Sequence, residues 1–420
     1  MREMKPSGVE WIGDIPQEWE INNAFQIFGQ VKNKNIGLRE TNLLSLSYGK
    51  IKRKSISTVG GLLPENFDGY NIIEANDIVL RLTDLQNDHT SLRVGLATER
   101  GIVTSAYLTL RNKSSNFAEY LYYYLHSFDL VKGFYGMGSG VRQGLNWDDL
   151  KGLIIILPPL SEQQHIAEFL DRKCAEIDSV ISKTKATIEQ YKALKQSVIT
   201  QAVTKGIRPD RPMKDSGIEW IGEIPQEWEV RRIKTLFSLR DERNDKPLSD
   251  VNLISLYTDL GVVQRNDVEC PTGNKASNAD GYKLVYKNDI VVNIILCWMG
   301  AIGRSDYNGV TSPAYDIYIP SSEANPYYYH YYFRTQGFNG DCYKRGKGIM
   351  AMRWRTYSDE FRDIRVVYPS VQEQQKIADY LDRKCSEIDR LIAAKERLLI
   401  ELESYKKSVI YEYVTGKKEI

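Results

Sequence analysis

The chain repeats itself. Residues 4–21 read MKPSGVEWIGDIPQEWEI and residues 213–230 read MKDSGIEWIGEIPQEWEV, identical at 14 of 18 positions with an offset of 209. Residues 162–178, EQQHIAEFLDRKCAEID, and 373–389, EQQKIADYLDRKCSEID, agree at 13 of 17 positions with an offset of 211. Chance does not produce matches of this length, so the fold must be two copies of one architecture. Between these anchors the match thins but stays in register. Asp68-Gly69-Tyr70 and Asn76-Asp77-Ile78-Val79 answer to Asp280-Gly281-Tyr282 and Asn288-Asp289-Ile290-Val291. Val103–Tyr107 answers to Val310–Tyr315, which is one residue longer. The loops between differ almost completely. Two copies share a scaffold and have diverged where each touches something different.

A chain of 420 residues has room for two or three domains, each with its own core. No apolar run is long enough to span a bilayer, and the first residues lack the apolar stretch of a secretory signal. The five cysteines (Cys174, Cys270, Cys297, Cys342 and Cys385) are scattered and odd in number. That pattern argues against a disulfide framework or a zinc site and fits a reducing cytoplasm. Net charge is only +1, but its distribution carries more than its sum. Residues 22–160 hold 15 Lys+Arg against 12 Asp+Glu, and residues 231–369 hold 19 against 16.

Each copy opens with a globular segment of short β-type runs: Asp77–Leu82, Ala106–Leu110 and Leu153–Leu157 in the first, Asp289–Ile295 and Ile364–Tyr368 in the second. Short helices are expected at Ala118–Ser127 and Pro326–Thr335. The fold class is α+β (mixed). Each globular segment leads into a long helix. Ser161 with Gln164 forms a capping-box pattern, and Ser370 with Glu373 serves the second copy. No Gly or Pro then intervenes until Gly206 or Gly416, so each helix extends for about 65 Å. Ile177, Ile181, Ile188, Tyr191, Leu194 and Val198 form one apolar stripe. Ile388, Ile392, Leu399, Leu402, Tyr405 and Val409 form the other with identical spacing. Steps of three and four suit a coiled coil; the alternative is a helix packed lengthwise on its own domain. The expected organisation is a first globular domain at 1–160, a helix at 161–205, a linker at 206–212, a second globular domain at 213–370 and a second helix at 371–420. The short linker, at most ~25 Å when extended, brings the second domain near the far end of the first helix. The helices should therefore run antiparallel about a pseudo-two-fold axis.

Two similar heads on a spacer suit duplex DNA with two half-sites. The candidate contact loops are basic and polar. Lys50, Lys52, Arg53 and Lys54 form one cluster. The stretch 136–144, GMGSGVRQG, offers Ser139, Arg142 and Gln143. Its counterpart 343–355, YKRGKGIMAMRWR, offers Lys344, Arg345, Lys347, Arg353 and Arg355 and no acid. Arg suits guanine and Gln suits adenine, while glycines permit close approach to phosphate. Each cluster taken singly also fits a solvated loop. The tyrosine runs 120–124 and 327–332 fit packed helix faces better than stacking platforms, and the four histidines are isolated. Asn325-Pro326-Tyr327 lacks the second proline of an amino-methyltransferase motif. Asp149 and Lys151 lack the upstream part of a nuclease site. No phosphate loop or cofactor-binding glycine fingerprint is present. A self-sufficient nuclease or methyltransferase is therefore disfavoured, and the diverged basic loops disfavour a scaffold that binds only proteins.

The KPSGVEWIGDIPQEW opening, its repeat from Met213 and the two EQQ-x-IA-x-x-LD helix starts make the whole chain resemble a specificity (S) subunit of a type I restriction-modification system, the HsdS family. The resemblance implies two target-recognition domains, each reading one half of a split, asymmetric DNA target, and a helical spacer that sets their separation. It implies a non-catalytic chain in a restriction endonuclease and adenine methyltransferase complex. Two modification (methyltransferase) subunits would dock on the near-identical segments, joined by restriction (translocase-nuclease) subunits. S-adenosylmethionine, ATP and magnesium would belong to those partners.

Overall fold

The computed structural model describes residues 2–55, 66–85, 87–88, 90, 92–137, 144–267, 278–348 and 354–420. It divides into two compact units, Met1–Lys185 with Arg397–Ile420, and Ala186–Glu396. The fold is mixed α and β, and each unit contains the same parts.

In the first unit a four-stranded antiparallel sheet runs in the order Phe28–Gln30, Leu108–Asn112, Ile78–Leu80, Val94–Leu96. Two-stranded pairs surround it: Met4–Pro6 with Asp14–Pro16, Glu20–Asn23 with Ile154–Leu157, Leu44–Ser47 with Lys50–Arg53, and Asn71–Ile73 with Gly101–Val103. The alternation of a strand divides Ile78–Leu80 between two faces. Ile78 and Leu80 enter the main core, whereas Val79 joins Leu44, Ile73, Ala97 and Val103 behind the sheet. Helix Ala118–Leu130 closes the core with Tyr120, Leu121 and Tyr124, all buried.

The second unit repeats this. Its sheet runs Phe237–Arg240, Tyr315–Pro320, Ile290–Asn293, Ile302–Arg304. Ile290 and Val292 face the main core and Val291 faces the smaller cluster. Tyr328, Tyr329 and Tyr332 of helix Pro326–Phe333 are fully buried. Asn76 and Asn288, just before the central strands, hold positive φ of 71° and 75°; asparagine tolerates this region better than most residues. One alignment changes. Ile102 bridges Leu43 as Val310 bridges Leu253, so Ile102 is equivalent to Val310 and Val103 to Thr311. Thr104–Tyr107 then matches Ser312–Tyr315 residue for residue, and the match of Val103 to Val310 with one extra residue gives way to it.

The long helices span Leu160–Lys205 and Val371–Val414. Leu160 is already helical, so Ser161 lies inside the first turn and not at the cap. The N–H groups of Glu162 and Gln163 donate to the Pro159 carbonyl instead. Ser370 does precede its helix, and its hydroxyl accepts from the Glu373 N–H at 3.4 Å. In the first unit the start of one helix meets the end of the other. The Phe169 and Tyr413 rings are 4.4 Å apart and Lys406 binds Asp178 at 2.6 Å, so the two segments run in opposite directions. In the second unit Lys195 binds Asp389 at 2.7 Å, the equivalent pair. Ile177, Ile188, Ile388 and Val409 are buried, and Ile181, Tyr191, Val198, Ile392, Leu399 and Leu402 partly so. Leu194 and Tyr405 of the expected stripes are each 49% exposed. The ends of the helices serve the globular cores: Val409, Ile410 and Val414 in the first unit, Ile199, Ala202 and Val203 in the second.

Candidate nucleic-acid interface

The near-identical segments build one joint, present in each unit. Arg2 grips the Glu162 carboxylate at 2.7 and 2.8 Å, and the buried Trp19 donates its indole N–H to the same group. Arg211, Glu373 and Trp228 repeat the arrangement. Gln163 accepts from the Phe117 N–H at 2.9 Å and Gln374 accepts from the Asn325 N–H at 2.8 Å, pinning each helix start to its domain. Tyr123 and Tyr331 donate to Asp171 and Asp382, both at 2.6 Å. Tyr120 donates to the carbonyls of Ile156 and Val414, and Tyr328 to that of Val203. Not every shared residue is buried by this joint. Gln164, Arg172 and Glu176 are exposed, as are their identical counterparts Gln375, Arg383 and Glu387.

The basic residues expected in loops occupy regular elements. Lys50, Lys52 and Arg53 lie on the second strand of a hairpin, with Lys54 just beyond it. The equivalent strand of the second unit is Gly261–Gln264, GVVQ, without charge. Lys344 and Arg345 form the last turn of helix Gln336–Arg345, a favourable place for cations at a helix C-terminus. Lys347 and Arg355 pair backbone to backbone beyond it. Ser139, Arg142, Gln143 and Arg353 lie outside the described residues.

Acids temper these charges. Lys50 reaches Asp178 at 3.7 Å, Arg53 pairs with Glu99, and Lys344 binds Glu219 at 2.7 Å. Arg345 lies 3.7 Å from Asp363, and Lys347 pairs with Glu360. Arg53, hydrogen-bonded to Glu99, pulls that carboxyl below its ordinary range. Lys347 does the same to Glu360. All these pairs are solvent-facing and contribute little to folding, so the cations can exchange a carboxylate for a phosphate.

The structure adds a residue with no signal in the sequence. Arg93 is fully buried, and its guanidinium donates to the carbonyls of Arg81, Thr83 and Asp88 and to the Tyr135 hydroxyl. It shapes the polar loop that contains Thr83, Asp84, Asn87 and Thr90. In the second unit Ala301 precedes the equivalent edge strand, and the short turn Cys297–Met299 replaces that loop. A cleft of about 1510 Å³ also opens in the second unit between the hairpin turn Thr258–Leu260, Met299 and the helical residues Lys195 and Asp389. Asn325, Pro326 and Tyr327 are a helix start, with the Asn325 side chain accepting from the Tyr327 N–H at 2.9 Å. Among the described residues no three metal-ligating side chains cluster, and no helix is long and apolar enough to cross a membrane.

Comparison with known proteins follows this duplication. The model of the type I restriction modification DNA specificity domain matches twice, at residues 18–190 and 225–404. A chain assigned as the MjaX type I restriction enzyme specificity subunit of Methanocaldococcus jannaschii is 24% identical, the match covering 97% of this chain and 95% of that one. The MjaVIII specificity subunit of the same organism is 24% identical over 54% of this chain and 51% of its own. Solved structures share the fold. A chain from work on assembly and conformational transition of the type I R-M system superposes with a TM-score of 0.70 at 13% identity, covering 96% of this chain and 99% of that chain. The HsdS subunit of Thermoanaerobacter tengcongensis gives 0.56 at 14% identity, covering 96% and 98%. With both copies of the repeat matched across most of its length, the chain belongs to the type I restriction-modification DNA specificity family and is a specificity subunit of such a system.

Proposed function

We propose that each globular domain reads one half of a split, asymmetric DNA sequence, that the helices set the spacing between the halves, and that two methyltransferase subunits dock on the matched helical surfaces. One observation carries this reading. The two units repeat strand order and joint chemistry, yet equivalent hairpin strands read Lys50-Ile51-Lys52-Arg53, largely exposed, in one and Gly261-Val262-Val263-Gln264, half-buried, in the other. A scaffold maintained while the charge and exposure of one hairpin strand diverge suits two different half-sites, with direct readout through the major groove. Docking is supported by the exposed identities at Gln164, Arg172 and Glu176 and their counterparts, which packing does not require. In this reading the chain itself is non-catalytic. S-adenosylmethionine, ATP and magnesium act on the methyltransferase and translocase-nuclease partners, and the assembly works in the cytoplasm.

The test is methylome sequencing with and without the gene, in a host carrying the partner genes. Loss of one split adenine-methylation motif is the expected result; an unchanged set of motifs sinks the proposal. Arg142→Ala should alter one half-site only. Equal weakening on all sequences would instead make Arg142 a phosphate contact.

A further inference from the structure

The second unit carries an aromatic ladder beside its basic cluster. The Trp298 ring lies 5.6 Å from that of Tyr343, on helix Gln336–Arg345. Tyr343 stacks on Trp354 with centroids 5.1 Å apart and planes 24° from parallel. Tyr343 nevertheless stays 50% exposed, and Met299, next to Trp298, is equally so.

The ladder is rigidly built. The indole N–H of Trp298 donates to the Ile295 carbonyl at 2.9 Å, and that of Trp354 to the Tyr343 carbonyl at 3.0 Å. Thr356 ties two neighbouring segments: its N–H donates to the Ile294 carbonyl and its hydroxyl to the Cys342 carbonyl, both at 2.9 Å. Lys347 and Arg355 exchange backbone hydrogen bonds of 2.8 and 3.0 Å beside them. Gly346 has ordinary backbone angles, so its smallness matters for space: a Cβ there would stand 2.2 Å from Trp354 Nε1. The chain thus gives up a side chain to let an indole lie against a helix end, and leaves the tyrosine edge open to solvent.

Cations flank that edge. Lys344 and Arg345 follow Tyr343 in the helix and Lys347 comes next, each with an exchangeable, solvent-facing acidic partner. A rigid apolar edge with a cationic rim suits duplex DNA. Phosphates take the cations, and the one apolar group that distinguishes a base pair in the major groove is the thymine methyl. We propose that the Trp298–Tyr343–Trp354 ladder reads a thymine methyl group in the half-site bound by the second unit. This rests on the half-site reading above. The first unit has a polar loop shaped by Arg93 in place of the Cys297–Met299 turn, so the two half-sites are read by different chemistry.

The experiment uses the full chain assembled with its methyltransferase subunits and duplexes carrying the methylated motif. Thymines of the second unit's half-site are replaced one at a time by deoxyuridine, which removes only the methyl. One replacement should weaken wild-type binding about fourfold, the value of one buried carbon. Tyr343→Phe should keep that sensitivity. Tyr343→Ala should bind more weakly and lose it, while penalties for base changes in the other half-site stay as in wild type, which checks the fold. The ladder proposal is overturned if Tyr343→Ala keeps the methyl sensitivity, or if no thymine in that half-site is present or sensitive. A complex that fails to prefer the motif over a scrambled duplex overturns the half-site reading itself, and the ladder's role with it.

Discussion

Trp228 donates its indole N–H to Glu373 at 3.0 Å, and the same carboxylate binds Arg211. The equivalent Trp19–Glu162 bond is 3.1 Å, with Arg2 as the cation. The two joints differ in burial. The side chains of Arg211 and Glu373 are 9% and 11% exposed, those of Arg2 and Glu162 21% and 25%. Removing the carboxylate leaves the indole N–H unpaired and each arginine with only its second acid, Glu227 for Arg211 and Glu18 for Arg2, at greater cost where water is scarcer. Glu373→Ala should therefore destabilise by about 3 kcal/mol and Glu162→Ala by about 1–2 kcal/mol. Urea unfolding monitored by tryptophan fluorescence measures both; equal losses would contradict the burial argument.

His126 predicts an acid-sensitive step. It is 7% exposed and stacks on Tyr122 with centroids 5.5 Å apart. Its Nδ1 has no hydrogen-bond partner among the described residues. Burial, aided by the Lys406 charge, lowers its pKa to about 4. The unfolded chain takes up this proton below its ordinary value of about 6.5 and the folded chain only near 4, so stability falls as pH drops between those values and levels off below. The span corresponds to roughly 3 kcal/mol. Buried Asp129 acts in the opposite sense, because burial raises its pKa to about 6. The comparison that isolates the histidine is wild type against His126→Phe: the difference in unfolding free energy should change across pH 4–6.5 and be flat above 7.

Gly101 and Gly309 begin equivalent strands and press against backbone. A Cβ at Gly101 would lie 2.6 Å from the Asn42 carbonyl oxygen, and one at Gly309 2.3 Å from that of Asn252. Neither has positive φ, so the demand is for space and not for conformation. Each change to alanine should cost about 1–3 kcal/mol through overpacking, read as a lower melting temperature. An unchanged melting temperature for both would show that the hairpins shift freely.

The duplication and the long helices were legible because both are periodic: matched segments recur at a fixed offset and apolar residues recur at helical spacing. The tyrosine runs were legible for the same reason. Chemistry that depends on pairing across the chain was not. Asp77 is held by Arg111, yet its equivalent Asp289 is held by Arg240, which comes from a different strand of the sheet. No alignment of the copies contains that exchange. Nothing in the sequence marks Arg93 as buried, yet it is fully so, because backbone carbonyls from a folded loop solvate it. The basic, glycine-containing stretch 343–355 reads as a contact loop, yet Lys344 and Arg345 end a helix that Thr335 caps, accepting from the Phe338 N–H at 3.4 Å. Lys50–Arg53 reads as a basic contact loop, but hairpin pairing with Leu44–Ser47 makes it a strand.

The spacer role makes the most specific demand. Deleting Ile181–Thr187 and Ile392–Leu398 takes one heptad from each helix, at equivalent positions. Whole heptads keep the apolar stripes in phase, and equal deletions keep oppositely directed helices in register. The contacts Lys406–Asp178 and Lys195–Asp389, each inside its own unit, flank the deleted segments and should survive. Seven residues of helix account for about 10 Å, or about three base pairs. The methylated motif should therefore keep both half-site sequences and lose about three base pairs of spacer. A deletion from the first helix alone should instead abolish methylation, because it puts the paired stripes out of register. A shortened protein that still methylates at the original spacing would show that the helices do not measure the distance.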